Sequence, residues 1–151
     1  MTVLPHCPVT QRGPFWDAIE GRAELPGAAV TLGFEVITVD PDAGTIEAAF
    51  TATEGSLNLM GVVQGGFLAA MLDATLGPAL AATLAPGEFA PTTDLHIQFL
   101  RPAKPGRLVG RGRIVRRGRD VGFLAGELID EQGILVAVAT ATAQIRRSDP
   151  G

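Results

Sequence analysis

The residues whose types could support chemistry lie close together between positions 58 and 73. Asn58 and Gln64 belong to a polar loop, the pair Gly65 and Gly66 follows, and Asp73 is then the single charge in an apolar run that continues to position 85. Burying a bare carboxylate is strongly unfavourable, so Asp73 must be solvated, hydrogen-bonded or protonated. A solvated aspartate near a helix end and a functional carboxylate are both compatible with this pattern.

The segment around Asp73 is predicted to be one long helix with two different faces. At about 100° per residue, small residues share the face of Asp73 and bulky residues occupy the other face. The small residues are Gly66, Ala70, Ala74, Gly77 and Ala81, and the bulky stripe beside Phe67 comprises Leu68, Met71, Leu72, Thr75, Leu76, Ala79 and Thr83. We expect the bulky face to pack against a sheet and the small face to admit a backbone, a second helix or a ligand. Pro78 predicts a kink or a break near Gly77, because proline removes one backbone hydrogen bond.

The composition indicates one globular domain without a metal site. The chain has 151 residues, of which 46% are hydrophobic, and a mean hydropathy of +0.27, which suits a substantial core. The formal net charge of −4 argues against a nucleic-acid partner, since such a partner requires a basic face. Cys7 is the only cysteine, and His6 and His96 are far apart, so we expect neither a disulfide framework nor a metal site.

No targeting segment or membrane span is predicted. The first residues lack a basic start followed by an apolar run, so no signal peptide is expected. The longest apolar segment, positions 62 to 85, contains Gln64, Asp73 and Pro78, and a charge at mid-span disfavours a membrane helix. We therefore expect a soluble, cytoplasmic protein without a membrane partner.

Turn residues and apolar alternation divide the rest of the chain into strands. Residues 1–27 are predicted to be an N-terminal leader with a short helix at 15–20, residues 28–147 a single domain, and residues 148–151 a tail. Strands are predicted at 28–39, 45–53, 92–100, 107–117, 121–130 and 134–146. The last strand is apolar on both faces, which is typical of a central position. Two strands, one long helix and four strands predict an α+β domain, with one antiparallel sheet packed on the helix.

These features resemble the hotdog-fold acyl-CoA thioesterases, and among them the PaaI-like group related to the phenylacetate-pathway thioesterase. The resemblance rests on Asn58-x-x-Gly61-x-x-Gln64-Gly65-Gly66, on Asp73 within the helix, on Thr92-Thr93-Asp94-Leu95 and on Phe99-Leu100-Arg101-Pro102-Ala103, and it covers roughly residues 28 to 146. It implies a curved antiparallel sheet wrapped around the central helix. It also implies subunits paired edge to edge as a homodimer or a dimer of dimers, with active sites at the dimer interface.

The resemblance also implies a role for each candidate residue. Asp73 of the partner subunit would be the general base that activates water, or the nucleophile. Backbone amides at Gly65–Gly66 would stabilise the oxyanion at the helix start. Asn58 and Gln64 would position the thioester or the water, and Thr92 would assist through its hydroxyl. Gln64 departs from the family pattern, which has histidine there; glutamine can hydrogen-bond but cannot carry a charge or shuttle a proton near neutral pH.

The spacing of Gln64 and Asp73 independently favours a site shared by two chains. The two residues are nine positions apart, which places them about 13 Å apart along the helix and on opposite sides of it. One chain could not easily bring both side chains to one atom, whereas a second copy could.

Basic residues at strand ends and turns are candidates for binding the phosphates of coenzyme A. They are Arg101, Lys104, Arg116, Arg117 and Arg119. A solvated rim is the alternative interpretation of these side chains. Coenzyme A would be part of the substrate, so we expect no separate cofactor.

Other functions stay open at this level. Because the usual histidine is missing, the chain could bind an acyl-CoA without hydrolysing it. A hydratase or dehydratase on the same fold needs a catalytic histidine beside an acidic residue, and the sequence offers no suitable pair. Single residues have structural alternatives as well: a turn cap for Asn58, a helix cap for Gln64 and an ordinary strand position for Thr92. The joint spacing favours a functional site over these single-residue alternatives. The resemblance implies an acyl-CoA thioesterase, with a non-catalytic acyl-CoA-binding protein as the alternative.

Overall fold

The computed structural model describes residues 13–149, which form three α-helices and eight strands. In chain order these are α1 (Pro14–Ile19), α2 (Gly27–Leu32), β1 (Glu35–Asp40), β2 (Thr45–Ala52), α3 (Gly65–Ala81), β3 (Glu88–Phe89), β4 (Thr92–Phe99), β5 (Gly106–Arg117), β6 (Val121–Ile129), β7 (Leu135–Gln144) and β8 (Arg146–Arg147). A short 3-10 turn, Glu54–Ser56, follows β2. His6, Cys7 and the first part of the predicted leader lie outside the described residues.

Six strands form one antiparallel sheet, and α3 packs against it. The strand order is β1-β2-β5-β6-β7-β4, while β3 and β8 form a separate two-stranded ribbon. α3 contacts β2, β4, β5, β6 and β7. β7 lies between β6 and β4, as its two apolar faces predict. The predicted α+β architecture is confirmed, and it is the hotdog arrangement that the resemblance implied.

Glycines in β5 and β6 allow α3 to lie close to the sheet. A Cβ atom at Gly110 would lie 2.1 Å from Thr75 Oγ1, and one at Gly126 would lie 2.8 Å from Leu76 Cδ2. Thr75 is itself buried, and its hydroxyl donates to the Met71 carbonyl at 2.8 Å. The predicted bulky face therefore lies in the core, where the buried residues of α3 are Leu68, Met71, Leu72, Thr75, Leu76, Ala79 and Leu80.

The predicted break of the long helix near Gly77 is wrong. α3 continues through Pro78 to Ala81, a length of 17 residues. Leu76 and Leu80, on either side of the proline, are fully buried, and this packing holds the last turn although one backbone hydrogen bond is missing. Within residues 13–149, no helix combines the length and the apolar character that crossing a membrane requires.

The strand predicted over residues 28–39 is also wrong in its first half. Gly27–Leu32 forms α2, and β1 begins only at Glu35. Pro26 is the N-cap of α2, and Gly33 ends the helix in the left-handed conformation with φ 62°, a common pair of helix boundaries. Leu32 is buried in the core, so packing and end residues together outweigh the β-branched residues of this segment.

The last predicted strand, 134–146, is divided in two. β7 ends at Gln144, and the amide of Ile145 donates to the Asp120 carbonyl at 2.8 Å instead of continuing the ladder. β8 then pairs with β3. The other four predicted strands are confirmed within a few residues at their ends.

The short helix predicted at 15–20 is confirmed as α1, and it contacts the C-terminal end of α3. Trp16 is buried, and its Nε1 donates to the Ala82 carbonyl at 3.3 Å. Phe15 packs beside a small cluster formed by Val36, Ile46 and Ala79. α1 is therefore packed on the domain, whereas residues 20–27 of the leader are exposed.

Candidate active site

Asp73 is the exposed carboxylate of α3, and it is held by a hydroxyl from the sheet. Thr92 Oγ1 donates to Asp73 Oδ1 at 3.0 Å. Thr92 is the first residue of β4, an edge strand of the sheet. Within residues 13–149, Asp73 Oδ2 accepts no hydrogen bond. The carboxylate is therefore oriented through one oxygen, and its other oxygen is free to meet water or substrate.

Asn58 organises the loop that leads into α3. Its Oδ1 accepts hydrogen bonds from the backbone amides of Met60 at 2.9 Å and Val62 at 3.4 Å. Gly61 adopts φ 73°, which lets the loop turn back, and Val63 donates to the Ala103 carbonyl at 2.8 Å. The side-chain carbonyl of Asn58 thus caps a turn, as the structural alternative for this residue predicted. The side-chain NH₂ group is not used in this cap, and it is the part of Asn58 that could contact a substrate.

The start of α3 offers backbone donors. Gln64 occupies the N-cap position with an extended backbone, but its side chain makes no capping hydrogen bond and is exposed. The next two amides, those of Gly65 and Gly66, have no acceptor among residues 13–149, because the first amide to bond back is that of Phe67, which donates to the Gln64 carbonyl at 2.9 Å. Two free N–H groups at a helix N-terminus can stabilise a developing negative charge.

Gly65 is enclosed from one side by the end of β4. A Cβ atom added at Gly65 would lie 3.1 Å from Phe99 Cζ. The ring of Phe99 is 53% exposed, so it covers the glycine while also facing solvent. An exposed ring beside two free amides gives this end of α3 an apolar wall next to hydrogen-bond donors.

The structure separates the candidate residues into two groups. Asn58, Gln64, Gly65 and Gly66 lie at the N-terminal end of α3, and Asp73 with Thr92 lies near its middle. Because α3 is one continuous helix, Asp73 lies eight positions after Gly65, which corresponds to about 12 Å along the helix axis. A single thioester carbonyl cannot contact both groups within one chain.

The five candidate basic residues also fall into two sets. Arg101 and Lys104 lie just after β4, next to the Ala103 carbonyl that accepts from Val63, and so near the start of α3. Arg116 and Arg117 line a cavity of about 650 Å³ with Thr83 at the other end of that helix.

Arg119 belongs to the same distant end, where its backbone carbonyl accepts from Arg147 of β8 at 3.1 Å. The guanidinium groups of Arg119 and Arg117 both have acidic partners, and Arg119 Nε lies 4.0 Å from Asp120 Oδ1. Arg117 Nη2 pairs with Glu88 Oε2 at 3.0 Å. Arg101 and Lys104 form no ion pair within the described chain.

A groove beside Asp73 was not predicted from the sequence. It lies between α1, α2 and the small face of α3, and it has a volume of about 780 Å³. Asp73 and its neighbours Ala70 and Ala74 line one wall. The small face of α3 was predicted to admit a ligand, but the opposing wall was missed because its residues were assigned to a leader and a strand. In the sequence, Pro26 and Gly33 are the residues that could have indicated the two ends of a helix in this segment.

No metal site is evident in the described chain. Among residues 13–149, no three histidine, cysteine, aspartate or glutamate side chains gather in one place. The chemistry available at Asp73 and at the start of α3 is that of a carboxylate, a hydroxyl and backbone amides.

Comparisons with known proteins agree with this architecture. The sequence model of the thioesterase superfamily matches residues 60–137. A solved structure of a candidate thioesterase, a phenylacetic acid degradation-related protein from Ralstonia eutropha JMP134, is 45% identical with a TM-score of 0.85, and the alignment covers 87% of this chain and 99% of that one. A search of curated proteins found no match.

Two more distant structures share the fold. The E. coli PaaI protein from the phenylacetic acid degradation operon is 24% identical with a TM-score of 0.77, over 89% of this chain and 93% of that one. A thioesterase from Haemophilus influenzae is 21% identical with a TM-score of 0.75, over 82% and 87% of the two chains.

The fold and the family match define a thioester hydrolase of hotdog architecture. The chain belongs to the thioesterase superfamily, and its resemblance to the PaaI-like group is confirmed by the relative from Ralstonia eutropha and by the shared fold of PaaI.

Proposed function

We propose that the protein hydrolyses acyl-CoA thioesters and that Asp73 is the catalytic carboxylate. The observation that carries the proposal is the hydrogen bond from Thr92 Oγ1 to Asp73 Oδ1, at 3.0 Å, on the exposed face of a helix that is otherwise apolar. An oriented carboxylate with one free oxygen suits attack on a carbonyl or activation of water.

In the general-base route, Asp73 accepts a proton from water while the water oxygen forms a bond to the thioester carbonyl carbon. The carbonyl oxygen becomes an oxyanion, which accepts hydrogen bonds from the amides of Gly65 and Gly66. The C–S bond then breaks, the proton is transferred to the leaving thiolate, and free acid and coenzyme A result. In the nucleophilic route, a carboxylate oxygen bonds to the carbonyl carbon, and the C–S bond breaks to release the coenzyme A thiolate and leave a mixed anhydride on Asp73. Water then attacks the anhydride, the free acid leaves, the Asp73 carboxylate is regenerated, and the proton released from water neutralises the thiolate.

The site that we propose is shared by two subunits. The amides of one chain lie about 12 Å along α3 from the Asp73 of the same chain, so the carboxylate that meets them would be the partner subunit's Asp73. Thr92 begins β4, which is an edge strand of the sheet and therefore has backbone groups available for pairing with a second copy. A cytoplasmic homodimer or dimer of dimers is the assembly we expect.

The remaining candidates receive positioning roles. The Asn58 NH₂ and the exposed Gln64 amide would orient the thioester or the water, which does not require a charge at position 64. Arg101 and Lys104 are the cations that lie near the start of α3, and we assign them to the coenzyme A phosphates. Arg116, Arg117 and Arg119 lie at the opposite end, so they are weaker candidates within one chain.

The test is release of free thiol from a panel of aromatic and aliphatic acyl-CoA esters. We expect turnover by the parent and a loss of about 10²-fold or more in Asp73→Asn, because the amide cannot act as a base. Asp42→Asn is the matched control, since Asp42 is an exposed residue of the turn between β1 and β2, outside the proposed site.

Equal rates for Asp73→Asn and the parent would contradict the proposal. If the parent binds acyl-CoA but releases no thiol from any ester, the protein is a non-catalytic acyl-CoA-binding module, the alternative that Gln64 in place of histidine favours.

A further inference from the structure

We propose that the groove between α1, α2 and α3 holds the acyl group of the substrate and selects uncharged, apolar acyl groups. The inference rests on the proposed function, because it takes Asp73 as the carboxylate at the reacting carbonyl. We call this cavity the acyl groove; its walls are the small face of α3 and the N-terminal segment 14–34.

The position of Asp73 makes the acyl groove continuous with the proposed chemistry. The α3 wall runs from Ala70 through Asp73 and Ala74 to Pro78. The eight positions from Ala70 to Pro78 correspond to about 12 Å of helix, of which about 7.5 Å lies beyond Asp73, so a short chain or a ring attached to a carbonyl at Asp73 has room to extend along the helix. The volume of about 780 Å³ lies in the range of small-molecule sites, about 300–1,000 Å³.

The opposite wall is apolar and is formed by a part of the chain outside the superfamily match. Leu25, Ala29, Leu32 and Phe34 line it, whereas the thioesterase superfamily model matches residues 60–137. Ala29 faces the cavity with a small side chain, and Trp16 fixes α1 to the end of α3. The preference for particular acyl groups therefore depends on residues outside the segment that the thioesterase superfamily model matches.

The charges around the acyl groove indicate which acyl groups it excludes. Among the described residues, its charged lining side chains are Asp17, Glu24 and Asp73, all of them acidic. Asp17 pairs with Arg22 at 2.8 Å, which leaves Glu24 and Asp73 without a cation. A carboxylate at the far end of an acyl group would be repelled and would find no counter-charge, so neutral acyl groups are favoured.

Filling the acyl groove at Ala29 tests the inference directly. Rates of hydrolysis are measured for acetyl-CoA, octanoyl-CoA, phenylacetyl-CoA and succinyl-CoA with the parent, Ala29→Phe and the smaller Ala29→Leu. Val30→Phe is the matched control, because Val30 is the next residue of α2, is 65% exposed and does not line the groove.

We expect the parent to prefer octanoyl-CoA and phenylacetyl-CoA over succinyl-CoA. Ala29→Phe should lower kcat/KM for these two esters by about tenfold. A change of this size corresponds to about two methylene groups of the acyl group that can no longer be buried in the groove. Ala29→Leu should lower it less, acetyl-CoA should be affected least, and Val30→Phe should behave as the parent.

Binding of S-octyl-CoA, a thioether that cannot be hydrolysed, separates failure of this inference from failure of the proposed function. Weaker binding to Ala29→Phe than to Val30→Phe supports the acyl groove even if the parent releases no thiol. Equal binding and equal octanoyl-CoA rates in the two variants would overturn it while leaving the thioesterase function intact. A loss of dimer in Ala29→Phe alone, by size-exclusion chromatography, would also overturn it, because a second copy would then fill the groove.

Discussion

Asp73 differs from an ordinary surface aspartate because its carboxylate is hydrogen-bonded to the sheet across 19 residues of sequence. Thr92 makes this bond from the first position of β4, where the backbone is fixed by pairing with β7. The threonine therefore determines which carboxylate oxygen stays free, and in the proposed mechanism we assign it the role of a positioning residue.

Replacement of Thr92 by valine keeps the β-branched shape and removes the hydroxyl. A hydrogen bond to a charged group contributes about 1.5–3 kcal/mol, so we expect kcat/KM to fall by about tenfold or more. Thr92→Ser should recover most of the rate, because the hydroxyl is restored. Thiol release and a thermal melt check this together; a drop in Tm without loss of rate would assign Thr92 a structural role only.

Gly65 allows a backbone donor to be removed without interrupting the hydrogen bonds of the helix. Gly65→Pro eliminates the backbone N–H at the first helical position, which tolerates proline, and Gln64 already has the extended backbone, with ψ 139°, that a residue before proline requires. Loss of one oxyanion donor should lower kcat by about 10²-fold or more.

Gly65→Ala is the control, since it adds the same Cβ against Phe99 and keeps the N–H. The measurement is kcat for a well-hydrolysed acyl-CoA in both variants. If alanine and proline reduce kcat equally, the Gly65 amide is not an oxyanion donor.

At the residue scale, the sequence identified Asp73 because a lone charge in an apolar helix needs an explanation. The family resemblance implied an assisting hydroxyl at Thr92, but the contact of Thr92 with Asp73 was not predicted, since no local pattern indicates a contact between residues so far apart. For Asn58 the structure supports the structural alternative, because its side-chain oxygen caps a turn. An asparagine can have this role in any polar loop, so its presence alone does not indicate a functional site.

At the scale of elements, the succession of strands along the chain and the long helix followed from turns and apolar periodicity, whereas α2 and the order of the strands within the sheet did not. The segment containing Val30 and Thr31 favours a strand locally. Its helical form depends on burial of Leu32 and on Gly33, where a Cβ would lie 2.9 Å from Thr51 Cβ. These are long-range contacts, so the acyl groove that α2 helps to form could not be predicted from the sequence.

Glu88 connects three elements at the far end of α3. Its carboxylate accepts from the Ala85 amide at 2.8 Å and pairs with Arg117 of β5 at 3.0 Å and with Arg147 of β8 at 3.1 Å. The bond from Ala85, together with the two cations, lowers the pKa of Glu88. A lowered pKa means that this stabilisation is complete above the ordinary range of a glutamate, about pH 4, and is lost as the pH falls through the folded value.

Glu88→Gln should therefore lower Tm at pH 7 by about 3 °C, the shift that about 1 kcal/mol produces in a domain of this size. The difference in Tm between Glu88→Gln and the parent should shrink at pH 3, because the parent carboxylate is then becoming protonated and loses the charge that the variant lacks at every pH. Glu54→Gln is the control, since Glu54 forms no ion pair within residues 13–149. A difference in Tm that is equal at both pH values would contradict the ionic account.

At the scale of the whole molecule, the two groups that the proposed mechanism requires, the amides at the start of α3 and Asp73, lie about 12 Å apart along one helix. We propose that the donors at Gly65 and Gly66 act with the partner subunit's Asp73, so activity should require a second copy. The edge position of β4 places Thr92 and Asp73 near the part of the sheet that is available for pairing. Helix geometry predicted this separation from the sequence, whereas the arrangement of subunits requires the assembled protein.

Complementation between two inactive variants tests the shared site most directly. Gly65→Pro and Asp73→Asn are expressed together with different affinity tags, and mixed dimers are isolated by purification on both tags in turn. Each mixed dimer contains one site with both wild-type groups and one site with neither, so we predict about half of the parent's kcat per dimer from two variants that are inactive alone. Mixed dimers as inactive as either variant would contradict a site built from Asp73 of one subunit and the α3 amides of the other.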